Sequence, residues 1–326
     1  MIDERLLSVL ADGCFHSGQE LGERLGVSRS AIWKQMKMLE SLGVEIYSVR
    51  GRGYRLPRGL DLLCEQSISQ ACHQQVGARL KRILLERVVD STNLMAMRDV
   101  QQGSAAGHLY LAEYQTAGKG RRGRTWVSPF GCKLYFSLVW GFSEGVAALE
   151  GLSLVVGLAI HKALQSLGIQ GVSLKWPNDL LVGSHKLAGI LLEMQGDAAG
   201  ECQVVIGVGV NVAMPEGEEA KIDQPWVDLS RLTSMPISRN QLMAAILNHL
   251  IPELERFGSI GFSGYREEWQ AVHAFQNEPV RLILGNKEIV GRCLGVDGHG
   301  ALIIHHQGGV EHFHAGEVSM RALRDS

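Results

Sequence analysis

The chain has 326 residues, 45% of them hydrophobic and 20% charged, with a formal net charge of −2. These values exclude a disordered chain, a collagen-like repeat and a globally basic nucleic-acid coat, and the length calls for two or three domains. Glycine, at 39 residues, is enriched as in proteins built around turns and ligand loops.

The charge is unevenly spread. Residues 24–58 hold eight basic and two acidic side chains, so this segment carries +6 and the rest −8. A basic module on an acidic body points to nucleic-acid contact at one end. Six cysteines lack any C-x-x-C spacing, and the start of the chain carries Asp3, Glu4 and Arg5 in place of an apolar leader. Both features suit free thiols in a reducing cytoplasm. The longest apolar stretch, residues 146–167, is broken by Glu150, His161 and Lys162 and reads as a buried helix with no membrane span.

Residues 5–11 have apolar side chains at helical spacing. Ser17, with Glu20 three residues on, reads as a capping box for a second helix whose inner face is Leu21 and Leu25. Gly26-Val27 makes a turn, and Ser28 opens a third helix with Ile32, Met36, Leu39 and Leu42 inward, giving a helix-turn-helix. The outward face carries Arg29, Ser30, Trp33, Lys34, Gln35 and Lys37, side chains that reach phosphates and base edges. Strands at 45–49 and 54–56 flank Arg50-Gly51-Arg52-Gly53, a wing with a basic tip. A helical bundle for protein contacts is the alternative; the charge asymmetry favours DNA. Pro57-Arg58-Gly59 then begins a linker.

The middle of the chain alternates elements: strands at 83–89, 109–114, 134–139, 172–176, 186–195 and 204–212, with helices at 92–100, 145–167 and 238–257. This is a mixed α/β layer with a mainly antiparallel sheet. Gly207-Val208-Gly209 runs on to Val212, so it is no dinucleotide turn, and no P-loop is present. Gly118-Lys119-Gly120-Arg121-Arg122-Gly123-Arg124 places four cations among three glycines. Glycine lets backbone N–H groups approach an anion, and arginine adds forked donors. The alternatives are a mobile basic loop and a nucleic-acid patch.

Short strands close the chain at 280–284, 288–296, 301–304 and 310–314, with turns at Asn286, Asp297-Gly298 and Gly308-Gly309, as in a small barrel. His299, His305, His306, His312 and His314 lie here, the last two on one strand face. With no cysteine or paired carboxylate at ligand spacing, they read as solvent-facing, and no metal site is expected.

Several motifs occur in order: Asp90-Ser91-Thr92-Asn93, Glu113-Tyr114-Gln115, the basic loop with Trp126, Lys175-Trp176-Pro177-Asn178-Asp179, Lys186-Leu187-Ala188-Gly189-Ile190-Leu191, and Gly207-Val208-Gly209-Val210-Asn211. Together they resemble the biotin protein ligases, and with the winged helix the bifunctional bacterial ligase/repressor type. The resemblance spans essentially the whole chain. It implies an α+β protein of three domains: a winged helix-turn-helix (1–60), a class II synthetase-like catalytic domain (61–275) and an SH3-like β-barrel (276–326).

The resemblance also implies a chemistry. Biotin carboxylate attacks the α-phosphate of ATP, with Mg2+, to give biotinyl-5′-AMP. A lysine of a biotin carboxyl carrier protein domain then takes the acyl group. On this likeness Arg121, Lys186 and Asp179 are the catalytic positions: Arg121 for the carboxylate, Lys186 for the α-phosphate, and Asp179 for orienting or deprotonating the acceptor lysine. Ser91, Thr92, Asn93, Gln115, Lys119 and Gly120, with Arg121 and Lys186, fall at biotin positions. Gly118, Arg122, Arg124, Trp126, Asn211 and Arg321, the last in Glu317-Val318-Ser319-Met320-Arg321, fall at ATP positions. Trp126 is expected over adenine and Trp176 in the core. The adenylate would act as corepressor, ordering the loop so that a homodimer binds the biotin operator through Arg29, Ser30, Lys34, Gln35, Lys37, Arg50 and Arg52. The family loop usually begins Gly-Arg-Gly; here position 119 is lysine. The competing readings are a ligand sensor without catalysis, a ligase that has lost DNA binding, and a lipoate-type ligase. Lys186, Asp179 and the full basic loop oppose the first, and the two central motifs favour biotin.

Overall fold

The computed structural model describes residues 3–57, 59–103, 105–145, 149–196, 200–215, 222, 224–285, 287–316 and 318–323. Arg58, Asn286, Glu317 and residues 146–148 of the apolar stretch lie outside the described residues.

Three helices open the chain: α1 (Glu4–Leu10), α2 (Gly18–Leu25) and α3 (Arg29–Ser41). Their starts follow side-chain caps. Ser17 Oγ accepts the Glu20 N–H at 3.0 Å and Ser28 Oγ accepts the Ala31 N–H at 3.2 Å. Gly26 stops α2 in the left-handed conformation, φ 70°, which glycine adopts without a Cβ penalty. Leu6, Leu7, Leu10, Leu21, Ile32, Met36 and Leu39 are buried together. The wing is β1 (Tyr47–Val49) paired antiparallel with β2 (Gly53–Arg55). Strand β1 is shorter than the sequence suggests and β2 starts one residue earlier, and Tyr54 also pairs its backbone with His16. One residue of this core comes from far along the chain: Phe130, 2% exposed, belongs to it, and Leu60, Leu62 and Tyr114 pack against the same cluster.

After short helices α4 (Glu65–Ala71) and α5 (Gln74–Gly77), seven strands build one sheet. They are β3 (Arg82–Val89), β4 (His108–Gln115), β5 (Lys133–Phe142), β6 (Val172–Lys175), β7 (Asp179–Val182), β8 (His185–Gly196) and β9 (Cys202–Asn211), in the order β3-β4-β5-β9-β8-β7-β6. Only β3 and β4 run parallel, and α6 (Thr92–Gln102) makes the crossover between them that parallel pairing requires. The sheet is covered on both faces, so β5 is buried along most of its length. Ala96 and Val100 of α6 pack on Tyr110, Val139 and Val205. The other face meets α7 (Leu152–Ser166) and α8 (Arg239–Ile260). Helix α7 begins later than its apolar run, because Gly151 turns the chain at φ 80°.

Helix α9 (Arg266–Ala271) leads to a second sheet of β10 (Pro279–Leu284), β11 (Lys287–Val296), β12 (Leu302–His306), β13 (Gly309–Phe313) and β14 (Val318–Ala322). It is antiparallel, in the order β13-β12-β11-β10-β14. With β13 and β14 at its two ends, the pairings of the described residues form an open ladder, without the closure expected of an SH3-like barrel. The main core runs unbroken from Leu63 to Met320, joining the two sheets. Trp176 is buried, and its Nε1–H donates to the Gly300 carbonyl at 3.0 Å. His312 bonds Asp297 at 2.8 Å, and His314, just beyond β13, reaches Glu150 at 3.9 Å; both are exposed on either side of buried Phe313. All six cysteines are free, and no helix among the described residues is long and apolar enough to cross a membrane.

Candidate functional site

A cleft of about 720 Å3 opens over β8 and β9. It gathers residues from separate places in the sequence, among them 91–93, Gln115, the basic loop, 175–179, Lys186, 207–209 and β14. Among the described residues that line it, Asp179 is the sole carboxylate against seven cations. A site of that balance holds anions.

The basic loop is folded as a tight hairpin. Gly120 N–H donates to the Arg124 carbonyl at 2.7 Å, Trp126 N–H to the Gly118 carbonyl at 2.8 Å, and Lys119 bridges Thr125. A Cβ on Gly118 would lie 2.7 Å from both Ser128 Oγ and the Trp126 carbonyl, so glycine is required there. Arg122 at its tip has φ 58°, a left-handed backbone that costs a non-glycine residue roughly 1–2 kcal/mol. Arg121 folds inward. Its Nη1 donates to Asn178 Oδ1 at 3.1 Å, and its Nη2 donates to the carbonyls of Ala315 and Gly316. Burial lowers the Arg121 pKa, Asp179 opposes that shift, and Arg122 and Arg124 add to it. Lys119, Arg122 and Arg124 are exposed on the rim.

Asn178 pins the Trp-Pro-Asn-Asp segment to β8. Its Nδ2 donates to the Ile190 carbonyl at 2.7 Å and its own carbonyl accepts the Ile190 N–H at 2.9 Å. This brings Asp179 to Lys186, Oδ1 to Nζ at 2.7 Å, each side chain 16% exposed. Lys186 Nζ also lies 5.3 Å from the Trp126 ring centre, and Lys133 Nζ lies 5.0 Å from it. Trp126 rests against β9, where a Cβ on Gly209 would meet its ring at 2.6 Å.

Beneath the other end of the cleft, Thr92 and Asn93 are buried at the start of α6. Ser91 holds the N-cap position without a side-chain cap bond; Gln115 Oε1 accepts the Thr92 N–H instead, at 2.9 Å. Ser137 Oγ donates to Asn93 Oδ1 at 2.6 Å, and Asn93 Nδ2 donates to Glu193 Oε2 at 2.7 Å.

Asn211 spends its Nδ2 protons on the Lys186 and Val227 carbonyls, both at 3.0 Å, and its buried Oδ1 has no partner. Trp126 Nε1 is likewise buried and unpartnered. The two share a side pocket of about 40 Å3 with Lys133 and Trp226. Arg321, exposed on β14, lines the main cleft. The sequence-named cleft residues therefore converge, except that Gly118 and Asn211 sit behind the lining of the main cleft. Sequence reading missed Ser128, Lys133, Ser137, Asn178's anchoring, Glu193 and Trp226. Apart from Asn178, which sits inside the Lys-Trp-Pro-Asn-Asp motif, none stands in a motif whose spacing signals a ligand.

On α3, Arg29, Ser30, Lys34 and Lys37 are exposed in a row. Gln35 departs from that face: it is half-buried, and its Oε1 accepts the Asp3 N–H at 3.4 Å. Lys37 pairs with Glu40 at 2.6 Å. Arg50 is exposed at the wing tip, and Arg52 stacks on Phe15 at 4.2 Å.

Comparison with known proteins gives this arrangement a family. Residues 85–211 match the biotin/lipoate A/B protein ligase family, residues 4–55 an HTH domain, and residues 275–321 the biotin protein ligase C-terminal domain. The chain is 43% identical to the bifunctional ligase/repressor BirA of Salmonella typhimurium, over 97% of each chain. It belongs to the biotin protein ligase family. The BirA of Escherichia coli is 41% identical over 98% of this chain and 97% of its own. The Aquifex aeolicus biotin protein ligase, solved in complex with biotin and ATP, superposes with a TM-score of 0.63 at 28% identity. That match covers 74% of this chain and 99% of the Aquifex chain. The bifunctional ligase/repressors thus match this family member along nearly their full length, DNA-binding unit included.

Proposed function

We propose that this chain is an ATP-dependent biotin–carrier ligase that also represses transcription of a biotin operon when charged with biotinyl-5′-AMP. One observation carries the ligase reading: Arg121 of the basic loop meets the Asp179–Lys186 pair of the β7–β8 hairpin in one cationic cleft. A carboxylate and a triphosphate repel each other, and this surplus of cations offsets that repulsion. Arg121 holds the biotin carboxylate, and Lys186 meets charge growing on the α-phosphate. Asp179 then takes up or orients the proton of the carrier lysine as its amine attacks the acyl carbon and AMP leaves.

Ser91, Thr92, Asn93 and Gln115 hold the biotin ring, with Lys119 and Gly120 closing over it. Trp126 and Asn211 face adenine; the unpartnered Asn211 Oδ1 suits the exocyclic amine as donor. Gly118, Arg122, Arg124 and Arg321 serve the phosphates and the loop that carries them. Asp179 alone makes no cage for Mg2+, which suits an ion that arrives on the nucleotide phosphates and neutralises their charge.

For repression, exposed Arg29, Ser30, Lys34, Lys37, Arg50 and Arg52, with Gln35 at the edge, meet operator DNA. Two copies pair when the adenylate orders the basic loop, and their winged helices read two half-sites. The deciding experiment supplies labelled biotin, ATP and a biotin carboxyl carrier domain. Label on the carrier lysine is expected, and its absence overturns the ligase reading. A gel shift at fixed salt with biotin operator DNA tests the second activity: adenylate that fails to tighten binding removes it.

A further inference from the structure

The floor of the cleft is a hydrogen-bond chain whose direction is fixed at both ends. At one end the Trp126 carbonyl, which can only accept, takes the Ser128 hydroxyl proton at 2.9 Å. Ser128 therefore has only its oxygen left for Gln115, which donates Nε2–H to it at 3.2 Å. This turns Gln115 Oε1 toward the Thr92 N–H. At the other end stands Glu193 on β8, half-buried, a carboxylate that can only accept. It takes Asn93 Nδ2–H at 2.7 Å, so the Asn93 carbonyl must face Ser137, which donates to it at 2.6 Å. The amide has no room to evade this choice. It lies so close over Gly207 that a Cβ there would fall 1.9 Å from Asn93 Oδ1.

Glu193 is thus the short-range acceptor that turns the Asn93 amide, with the Leu191 carbonyl taking a longer contact from the same nitrogen at 3.5 Å. Without an acceptor at Glu193, the amide nitrogen could face Ser137, and the hydroxyl of Ser137 would accept in place of donating. The polarity of the floor would then reverse from Asn93 inward.

We propose that Glu193 is a positioning and specificity-determining residue for the biotin site. Acting through Asn93, it keeps an acceptor on the Gly207 side of the cleft floor. The site thereby selects a ligand head that donates N–H, as a cyclic urea does, over one whose nitrogen is blocked. The inference rests on the biotin reading of the cleft.

The probes are biotin and a biotin methylated on one ureido nitrogen, titrated into the full-length protein and assayed for pyrophosphate release with ATP. Wild type is expected to prefer biotin strongly. Glu193→Leu should raise the KM for biotin by about tenfold with little change in kcat, the worth of one oriented hydrogen bond, and should narrow the preference between the two probes. Glu193→Gln keeps an acceptor oxygen and should restore both values. Glu193→Lys offers only donors and should reproduce the loss, which keeps the test open if the leucine variant does not fold. Unchanged KM and preference in the leucine or lysine variant overturn the proposal while leaving the ligase reading standing. A wild type that does not turn over biotin overturns both.

Discussion

Lys186 Nζ lies 2.7 Å from Asp179 Oδ1. The pair joins the groups assigned to the two half-reactions, one cationic for the phosphate and one anionic for the acceptor amine. While they neutralise each other, neither is fully available. On the proposed roles, a phosphate that drew Lys186 away would release Asp179, so filling the nucleotide site would prepare the base for the step that follows. Asp179→Asn should leave adenylate formation in place while slowing transfer to the carrier roughly 10²–10⁴-fold. Lys186→Met should instead slow adenylate formation by about 10²-fold or more. Single-turnover measurements of pyrophosphate release and carrier labelling separate the two.

Two neighbouring glycines should divide the substrates. A methyl at Gly209 drives into the Trp126 ring, and one at Gly207 drives into the Asn93 amide. Gly209→Ala should raise the KM for ATP by about tenfold with biotin little affected, the scale of a lost ring contact. Gly207→Ala should do the converse. Titrating each substrate at saturating levels of the other checks both, and equal effects on both substrates would refute the division.

Lys119 stands where the family usually has arginine. An ammonium cannot grip a carboxylate or phosphate with a fork, so Lys119→Arg should slow biotinyl-AMP release several-fold. Its release rate, followed by chasing labelled adenylate, checks this. Equal rates would mean that only the backbone of the loop holds ligand.

Glu113 is fully buried between Arg239 at 2.7 Å and Arg87 at 3.1 Å, and it also accepts the Leu63 N–H at 2.7 Å. Removing one partner of such a cluster strands buried charge. Glu113→Ala should cost about 3–5 kcal/mol of stability, read as a lower denaturation midpoint. Arg87 also reaches Glu4 of α1 at 3.1 Å, an exposed contact that should contribute little.

On the DNA side, Lys34→Ala should weaken operator binding across sequences and lower the slope of log affinity against log salt by about one. A slope equal to wild type would place Lys34 away from the phosphates.

The sequence was most legible where local chemistry decides structure. Ser17 and Ser28 marked helix starts because their hydroxyls cap locally. Strand β7 was missed because four residues give too little alternation to separate it from the Trp-Pro-Asn-Asp motif. Helices α4, α5 and α9 are likewise too short to establish a period. In the cleft, motif residues could be named in advance, but Glu193 and Ser137 could not. One is a single polar side chain on a long strand and the other a serine inside a hydrophobic one, and only pairing across the sheet brings them to Asn93. Gln35 is half-buried because the residue before α1 folds back onto it, which helical spacing cannot foresee.

Phe130 has a meaning for anyone who would take this protein apart. It follows the basic loop by six residues, yet its ring completes the core of the first three helices. A cut after residue 60 would leave a bare phenyl group on the larger fragment and a matching hole in the smaller. The two halves are therefore not modules joined by a tether. They share a keystone, and strain at the ligand loop has only a few peptide bonds to travel before it reaches the core beneath the DNA-reading helix.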